Sequence, residues 1–284
     1  MKTVLVTPTW LPEIERCEML MDSAAQHVSG FDKHLLLVDA MDEPQFRHLA
    51  RPGVEIIVKQ DLLPAWLRQL PFARRWWLSS RGLPVRGWIL QQVIKLAVTQ
   101  YSDADACCYV DSDTVFVRDF AASDLWSQDR VRFYRDTRKP HFYASRRYRN
   151  WYGFAARQFK LGDPDQLKGA YIAQLNTLHR GHASAMLGAI EQRWQRPWME
   201  TLLHSMDFSE FVLYGAFVDA CTDQQYHYAT DQQLCHSSWL YSMDSTADLE
   251  RFVGSCEAQH VALHVQSNLG LPVAALRQII DAGR

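Results

Sequence analysis

The sequence lacks an apolar run that could cross a membrane. No segment approaches the roughly 18 consecutive apolar residues that a membrane-spanning helix needs. The first residues, MKTVLVTP, pass directly into a strand-like pattern, without the basic and then apolar segments of a secretion signal. We therefore expect a cytoplasmic protein.

A strong charge of either sign is also missing. The 30 Lys and Arg residues nearly balance the 32 Asp and Glu residues, and the formal net charge is -2 with a pI near 6.6. Proteins that bind nucleic acid through its phosphates are normally basic overall. We therefore expect no nucleic-acid partner, and any basic patch must be local.

Paired cysteines are absent as well. The six cysteines form no Cys-x-x-Cys motif, which argues against a zinc ribbon and against a thioredoxin-like redox site. Isolated, buried and reduced thiols are the simpler interpretation.

Alternating strand and helix patterns predict an α/β protein. Three Val-, Ile- and Leu-rich segments are predicted strands, at Lys2–Thr7, His34–Asp39 and Val54–Lys59. Helical spacing of apolar residues covers Glu13–Val28, between the first two strands. This order is typical of a mostly parallel central sheet flanked by helices. At 284 residues, one domain is expected.

The rest of the chain continues this pattern with two interruptions. Helices are predicted at Trp88–Tyr101, Ala183–Gln195, Ser209–Cys221 and Pro272–Ala282, and strands at Ala106–Val110 and Val261–Val265. Tyr171–Leu178 fits either a strand or a turn into the next helix. Leu62–Gly87, with its prolines, arginines and adjacent Trp76 and Trp77, is predicted to be irregular, and such long segments are usually functional or mobile.

An Asp-x-Asp motif ends one of the predicted strands. In CCYVDSDTVFVRDF, an apolar run stops at Asp111-Ser112-Asp113 and resumes after it. The spacing alone has little weight, because it recurs at Asp103/Asp105 and Asp163/Asp165. Only the pair at Asp111 and Asp113 follows a hydrophobic strand, and ligands of open α/β sheets bind at the carboxyl ends of strands.

Two adjacent carboxylates need a compensating charge. A divalent cation such as Mg²⁺ or Mn²⁺ supplies it, prefers oxygen ligands and commonly holds substrate phosphates. Strand residues two apart can address the same ligand. The alternative is a strand end capped by a solvated turn.

The order of motifs resembles that of GT-A glycosyltransferases, closest to a poorly characterised bacterial group. The resemblance rests on RGWILQQVIKLA, YVDSDTVFV, FSEFVLYGAFVD and LHVQSN, and covers Thr3 to about Leu269. It implies a Rossmann-type GT-A fold with a nucleotide-sugar-binding half, 1–120, and an acceptor-binding half, 121–284. It also implies transfer of a sugar from a nucleotide-diphosphate sugar, with UDP favoured, to a glycan or lipid-linked acceptor.

The resemblance assigns a metal site to the motif. Asp113 would bind Mn²⁺ or Mg²⁺ directly, and Asp111 would contact the ribose or reach the metal through water. The metal would bridge the two donor phosphates and stabilise the leaving diphosphate. His264 would be a third ligand, although a lone histidine is more often structural.

Further residues are candidates for catalysis and for donor binding. Glu210 is the candidate general base of an inverting enzyme, with Asp207 as its rival; its alternative role is to favour a helix dipole. The candidate donor contacts, which could equally be strand-end turns or a solvated helix face, are Thr7, Pro8, Thr9, Asp39, Arg86, Gln91, Lys95, Asp111, Ser112, Gln266 and Ser267.

A basic and aromatic stretch, RVRFYRDTRKPHFYASRRYRNWYG, lies in the second half of the chain. Such a surface can bind phosphate through Arg and Lys and stack rings on sugars. It suggests a donor diphosphate, an anionic glycan or lipid headgroups, and with the last a peripheral contact at the inner face of a membrane. An ordinary solvated loop is the alternative.

Two other functions fit parts of the sequence. A phosphatase of the haloacid dehalogenase type would use Asp111 as nucleophile and Asp113 as acid/base, but that family usually carries this motif after its first strand, and three predicted strands precede it here. A carbohydrate- or nucleotide-binding module without catalysis would use exposed tryptophans such as Trp76 and Trp77 for sugar stacking.

Overall fold

The protein is described by a computed structural model, which covers residues 1–70, 73, 76–82, 84–138, 145–162, 169–241, 243 and 245–282. The strands are β1 (Thr3–Pro8), β2 (Val28–Ser29), β3 (Lys33–Val38), β4 (Val54–Val58), β5 (Leu67–Gln69), β6 (Trp76–Ser79), β7 (Val85–Arg86), β8 (Ala106–Tyr109), β9 (Thr114–Phe116), β10 (Phe120–Ala121), β11 (Trp126–Ser127), β12 (Arg130–Tyr134), β13 (Asn176–His179), β14 (His227–Thr230), β15 (Cys235–Ser237) and β16 (Ala262–His264). The helices are α1 (Ile14–His27), α2 (Glu43–Phe46), α3 (Gly87–Tyr101), α4 (Arg146–Phe159), α5 (Arg180–Trp194), α6 (Trp198–Leu203), α7 (Glu210–Cys221), α8 (Thr246–Gly254) and α9 (Val273–Ala282).

A five-stranded sheet in the order β13-β8-β1-β3-β4 forms the centre of the fold. Its inner pairs, β8-β1, β1-β3 and β3-β4, are parallel, and the edge strand β13 is antiparallel to β8. The predicted α/β class with a mostly parallel central sheet is confirmed.

Helices cover both faces of this sheet because successive strand side chains point to opposite sides. In β1, Val4 and Val6 pack into the core that contains Val93 of α3, whereas Leu5 packs on the other face with Leu20 of α1. This two-sided burial explains why the strands read as continuous apolar runs. None of the helices in the described part of the chain combines the length and the hydropathy that crossing a bilayer requires.

The structure corrects the sequence predictions in three places. Leu62–Gly87 is not irregular throughout, because β5, β6 and β7 form a small antiparallel sheet within it. The ambiguous segment Tyr171–Leu178 contains the start of β13. The basic and aromatic stretch holds β12 and the start of α4, neither of which the sequence predicted; its residues 139–144 lie outside the described residues.

All six cysteines lie in the described residues and are unpaired. Cys17, Cys107, Cys108 and Cys235 are buried, as predicted, whereas Cys221 is exposed and Cys256 is half-buried.

Candidate active site

A cleft of about 770 Å³ lies at the carboxyl ends of β1, β3 and β8. Ligands of open α/β sheets bind at this edge. The residues from the sequence prediction that line it are Pro8, Thr9, Asp39, Arg86, Gln91, Asp111, Ser112, Asp113, His264, Gln266 and Ser267.

Asp111, Asp113 and His264 form a cluster at the floor of this cleft. Each residue offers one potential ligand atom, and these atoms all lie within 4.8 Å of one another. His264 reaches the motif because β16 runs antiparallel to β9, with His264 opposite Thr114. Two carboxylates and a neutral imidazole suit Mn²⁺ and are compatible with Mg²⁺, so the donor set fits a divalent cation.

Neighbouring groups orient two of these three side chains. The Oγ atom of Ser237 lies 2.7 Å from Nδ1 of His264, and the backbone N–H of Ser267 donates to Oδ2 of Asp113 at 3.0 Å. A proton held on Nδ1 by Ser237 leaves the Nε2 lone pair available to a cation. Nε2 lies 3.2 Å from Oδ1 of Asp113, so both atoms face the same point.

Asp111 is held from two sides. Lys95 Nζ donates to its Oδ1 at 3.2 Å, and Gln174 Nε2 donates to its Oδ2 at 2.8 Å. Burial raises the pKa of Asp111, but Lys95 and Gln174 more than offset this and hold the pKa below its usual value. The carboxylate therefore stays ionised at neutral pH.

Lys95 also binds Glu210, so a buried cation lies between two carboxylates. Its Nζ is 3.2 Å from Oε1 of Glu210. The two residues are 5% and 2% exposed. Burial lowers the pKa of Lys95, but Asp111 and Glu210 raise it well above its usual value. Burial raises the pKa of Glu210, with Lys95 acting in the opposite direction.

The placement of Glu210 does not favour a general base. The side chain does not line the cleft, its carboxylate is paired with Lys95, and a base must come within hydrogen-bond reach of the acceptor hydroxyl. Its rival Asp207 is also outside the lining and accepts a hydrogen bond from Trp151 Nε1 at 2.7 Å. Lys95 likewise contacts the cleft only through Asp111.

Thr7 lies behind the cleft. It is fully buried within β1, and its Oγ1 lies 2.8 Å from Nε2 of His34. Thr7 is not among the residues that line the cleft, although the two residues that follow it are.

The cleft also contains residues that the sequence prediction missed, among them Trp10, Glu13, Lys59, Trp239 and Asn268. Burial, together with the charge of Asp113, raises the pKa of Glu13. Lys59 Nζ lies 3.5 Å from Oδ2 of Asp39. Glu13 and Lys59 follow β1 and β4, so the rule that ligands gather at carboxyl ends of strands could have found them.

Tryptophans are among the residues that line the cleft. Trp76 and Trp88 lie at its surface, and Trp76 is 40% exposed. Trp77 is only 1% exposed, so the expectation that it is an exposed stacking residue is wrong. Trp88 stacks on Trp151 at 5.7 Å, and the Arg147 guanidinium lies 4.6 Å and 5.0 Å from their ring centroids.

The described part of the basic and aromatic stretch does not line the cleft. Arg135 pairs with Asp219 at 2.7 Å, and Arg138 with Asp136 at 2.9 Å. Of the competing Asp-x-Asp pairs, Asp163/Asp165 lies outside the described residues. In the other, Asp103 is exposed and pairs with Lys2 at 2.6 Å, which leaves the pair at Asp111 and Asp113 as the one in the cleft.

The fold is GT-A-like and resembles that of a glycosyltransferase. The crystal structure of mouse xyloside xylosyltransferase 1 in its apo form matches with a TM-score of 0.50 and 10% sequence identity, over 96% of this chain and 100% of that one. At this identity the match defines the fold alone. The chain belongs to DUF6492, a family of unknown function whose model matches residues 4–283. No curated protein matches this chain.

Proposed function

We propose that this protein is a metal-dependent glycosyltransferase. It takes a sugar from a nucleotide-diphosphate sugar, with UDP as the favoured nucleotide, and transfers it to a glycan or lipid-linked acceptor. The observation that carries this proposal is the convergence of Asp111, Asp113 and His264 at the floor of a cleft in a GT-A-like fold.

Asp113 and His264 would hold Mn²⁺ or Mg²⁺, with Asp111 as a further direct or water-mediated contact. The bound cation supplies Lewis-acid stabilisation of the diphosphate leaving group. Lys95 keeps Asp111 ionised, and Ser237 and Ser267 keep His264 and Asp113 turned toward each other. These protein contacts fix the side chains, and a preorganised site needs little reorganisation when the donor binds.

The donor would lie along the strand ends. The groups available to its hydroxyl, base and phosphate groups are those of Pro8, Thr9, Asp39, Arg86, Gln91, Ser112, Gln266 and Ser267. In this proposal the chain up to residue 120 supplies most of the donor contacts, and residues 121–284 contribute chiefly to the acceptor side. Trp76 and Trp88, which line the cleft, suit stacking on a sugar ring of the acceptor.

Exposed arginines support the proposed acceptor and site of action. Arg146 and Arg149 of α4 are exposed, and exposed cations attract anionic lipid headgroups. We therefore propose a cytoplasmic enzyme that can meet a lipid-linked acceptor at the inner face of the membrane.

Mn²⁺-dependent binding of UDP tests the proposal directly. Isothermal titration of UDP into the wild-type protein should give measurable affinity with Mn²⁺ and a large loss of affinity with EDTA. The Asp113→Ala variant should lose the metal dependence while keeping its fold by circular dichroism. UDP-sugars should then be hydrolysed slowly in the presence of Mn²⁺, and equal UDP affinity with and without metal contradicts the proposal.

The same protein preparations separate the two other functions. β8 is the fourth strand along the chain in the described central sheet, not the first, which weighs against the phosphatase. Hydrolysis of p-nitrophenyl phosphate that disappears in Asp111→Asn would establish a phosphatase instead. Tight binding of UDP-sugars without any release of UDP would establish a binding module.

A further inference from the structure

Gln174 lies opposite the Asp-x-Asp motif because of the register between two strands. β13 runs antiparallel to β8, with Asn176 opposite Tyr109. Gln174 lies two residues before Asn176, and Asp111 lies two residues after Tyr109, so the antiparallel register places Gln174 opposite Asp111. The sequence separates these residues by 63 positions, but the pairing of β13 with β8 brings them together at the carboxyl end of β8.

The Gln174 carboxamide makes a two-point contact with Asp111. Its Nε2 donates to Oδ2 of the carboxylate at 2.8 Å, and its Oε1 accepts from the backbone N–H of Asp111 at 3.4 Å. The contact therefore fixes the side chain of Asp111 relative to its own backbone. Gln174 is itself buried and is not part of the cleft lining, so it can act only through Asp111.

The backbone next to Gln174 is held in an uncommon conformation. Leu175 has a φ of 59°, in the left-handed region that a branched side chain rarely adopts. The residue is fully buried and packs in the core with Leu5 and Val110. Asn176 Nδ2 donates to the carbonyl oxygen of Tyr171 at 2.8 Å and closes the turn. Conformations of this kind persist where the surroundings fix them, and they cluster at functional sites.

Lys95 completes the arrangement from the other side of the carboxylate. Its ammonium group binds Oδ1 of Asp111 and also pairs with Glu210 on α7. The protein thus contacts both oxygens of Asp111 and still leaves further lone pairs for a ligand, because an ionised carboxylate offers about four acceptor positions.

We propose that Gln174, aimed by the left-handed Leu175, is a positioning residue that clamps Asp111 against Lys95 and so preorganises the metal site. Partners that orient a ligand from behind typically contribute 10- to 100-fold to metal affinity. This inference rests on the proposed metal-dependent function, but it concerns a residue that the cleft geometry alone does not reveal.

Mn²⁺ affinity of Gln174 variants tests the clamp. Free Mn²⁺ is counted by its electron paramagnetic resonance signal in titrations of the protein saturated with UDP. Gln174→Met keeps the length and volume of the side chain but cannot donate, and we expect its Mn²⁺ affinity to fall about 10- to 100-fold. Gln158→Met is the matched control, because Gln158 is a buried glutamine whose Oε1 accepts from Trp194 Nε1 at 2.7 Å outside the cleft. Its Mn²⁺ affinity should match that of the wild type.

A second variant and a second readout distinguish the possible failures. If Gln174→Met does not fold, Gln174→Asn keeps the amide but shortens its reach, and the same loss of affinity is expected. In addition, the Tm changes of Gln174→Met and Asp111→Asn should not add in the double variant, because the two side chains are in contact.

If the wild type binds Mn²⁺ and both Gln174 variants bind it with the same affinity, the clamp is overturned and the proposed function stands. Absence of Mn²⁺ binding by the wild type overturns both. Additive Tm changes overturn the contact itself, whatever the metal result.

Discussion

The Nε2 atom of His264 lies 3.2 Å from the Oδ1 atom of Asp113. The histidine belongs to β16, and the aspartate precedes β9, so the antiparallel pairing of these two strands creates the contact. Both atoms can bind the same cation, and their separation suits groups that share one ion.

The first prediction concerns the histidine and the serine behind it. His264→Gln should weaken Mn²⁺ binding at least tenfold, and Ser237→Ala should weaken it by about tenfold, because Ser237 orients the imidazole. Titration calorimetry of Mn²⁺ in the presence of UDP measures both. His48→Gln is the control, because His48 pairs with Glu18 and is not part of the cleft lining. Equal affinities in His264→Gln and wild type would exclude His264 as a ligand.

A second prediction decides the role of Glu210. Glu210→Gln removes one of the two carboxylates that pair with buried Lys95, which keeps Asp111, and it should lower the free energy of unfolding by about 1–3 kcal/mol. It should also weaken UDP binding, because Lys95 then acts on Asp111 alone. Urea unfolding and UDP titration measure the two effects. Glu43→Gln, which breaks an exposed pair with Arg47, should change stability by less than about 1 kcal/mol.

The alternative for Glu210 predicts a different result. A general base would be needed for transfer but not for donor binding. If Glu210→Gln keeps its UDP affinity but loses transfer, Glu210 acts as the general base and not merely as the ion-pair partner of Lys95.

The third prediction concerns a glycine in α7. A Cβ atom at Gly215 would lie 2.2 Å from Cγ of Tyr171, whose hydroxyl donates to Asp219 at 2.7 Å. Gly215→Ala should therefore destabilise the protein by about 1–3 kcal/mol through overpacking. Gly188→Ala is the matched control, since a Cβ there meets no atom within 4 Å. It should stabilise helix α5 by about 0.5–1 kcal/mol. Thermal unfolding of both variants checks the prediction, which fails if the two shift Tm in the same direction.

The fourth prediction concerns acid stability. Burial, with a contribution from His182, lowers the pKa of His227 from 6.5 to about 3. Between these values the unfolded chain binds a proton that the native protein does not, so the free energy of unfolding falls as pH drops below 6.5. The contribution from His227 is about 1.4 kcal/mol per pH unit.

His227→Gln tests this linkage. Urea titration between pH 4.5 and 6 measures how steeply the free energy of unfolding depends on pH. In the variant this slope should decrease by about 1.4 kcal/mol per pH unit, which corresponds to one proton. An identical slope would mean that another group causes the acid sensitivity.

Strands β1, β3 and β8 and the position of the Asp111 and Asp113 pair could be predicted because their signals are local, whereas His264 was implied only by the resemblance in motif order. β1, β3 and β8 are apolar runs that end abruptly in polar residues, and such runs mark buried parallel strands. The sudden change from an apolar strand to Asp111 and Asp113 marks the edge of the sheet where ligands bind. Both signals can be read within a few residues.

The placement of Lys95 and Glu210 could not be predicted because it depends on how far each side chain lies below the surface of the cleft. Helical spacing places Gln91 and Lys95 on neighbouring positions of α3, but Gln91 lines the cleft and Lys95 is buried below it. How far a helix position lies from a cleft depends on the packing of α3 against the sheet and α7. No periodicity encodes that distance.

Gln174 and α4 were missed for different reasons. The contact of Gln174 with Asp111 depends on the register of β13 and on a left-handed leucine, and a leucine gives no sequence signal for that conformation. In α4, arginines on the exposed face obscured the apolar positions, such as Trp151 and Phe154, that pack into the core.

The pairing of β16 with β9 also affects how the protein is made. Asp111 and Asp113 emerge from the ribosome more than a hundred residues before His264. At the usual rate of about 5–20 residues per second, the two aspartates wait roughly 8–30 seconds for their third partner. The cluster of Asp111, Asp113 and His264 therefore cannot assemble until residue 264 has been synthesised.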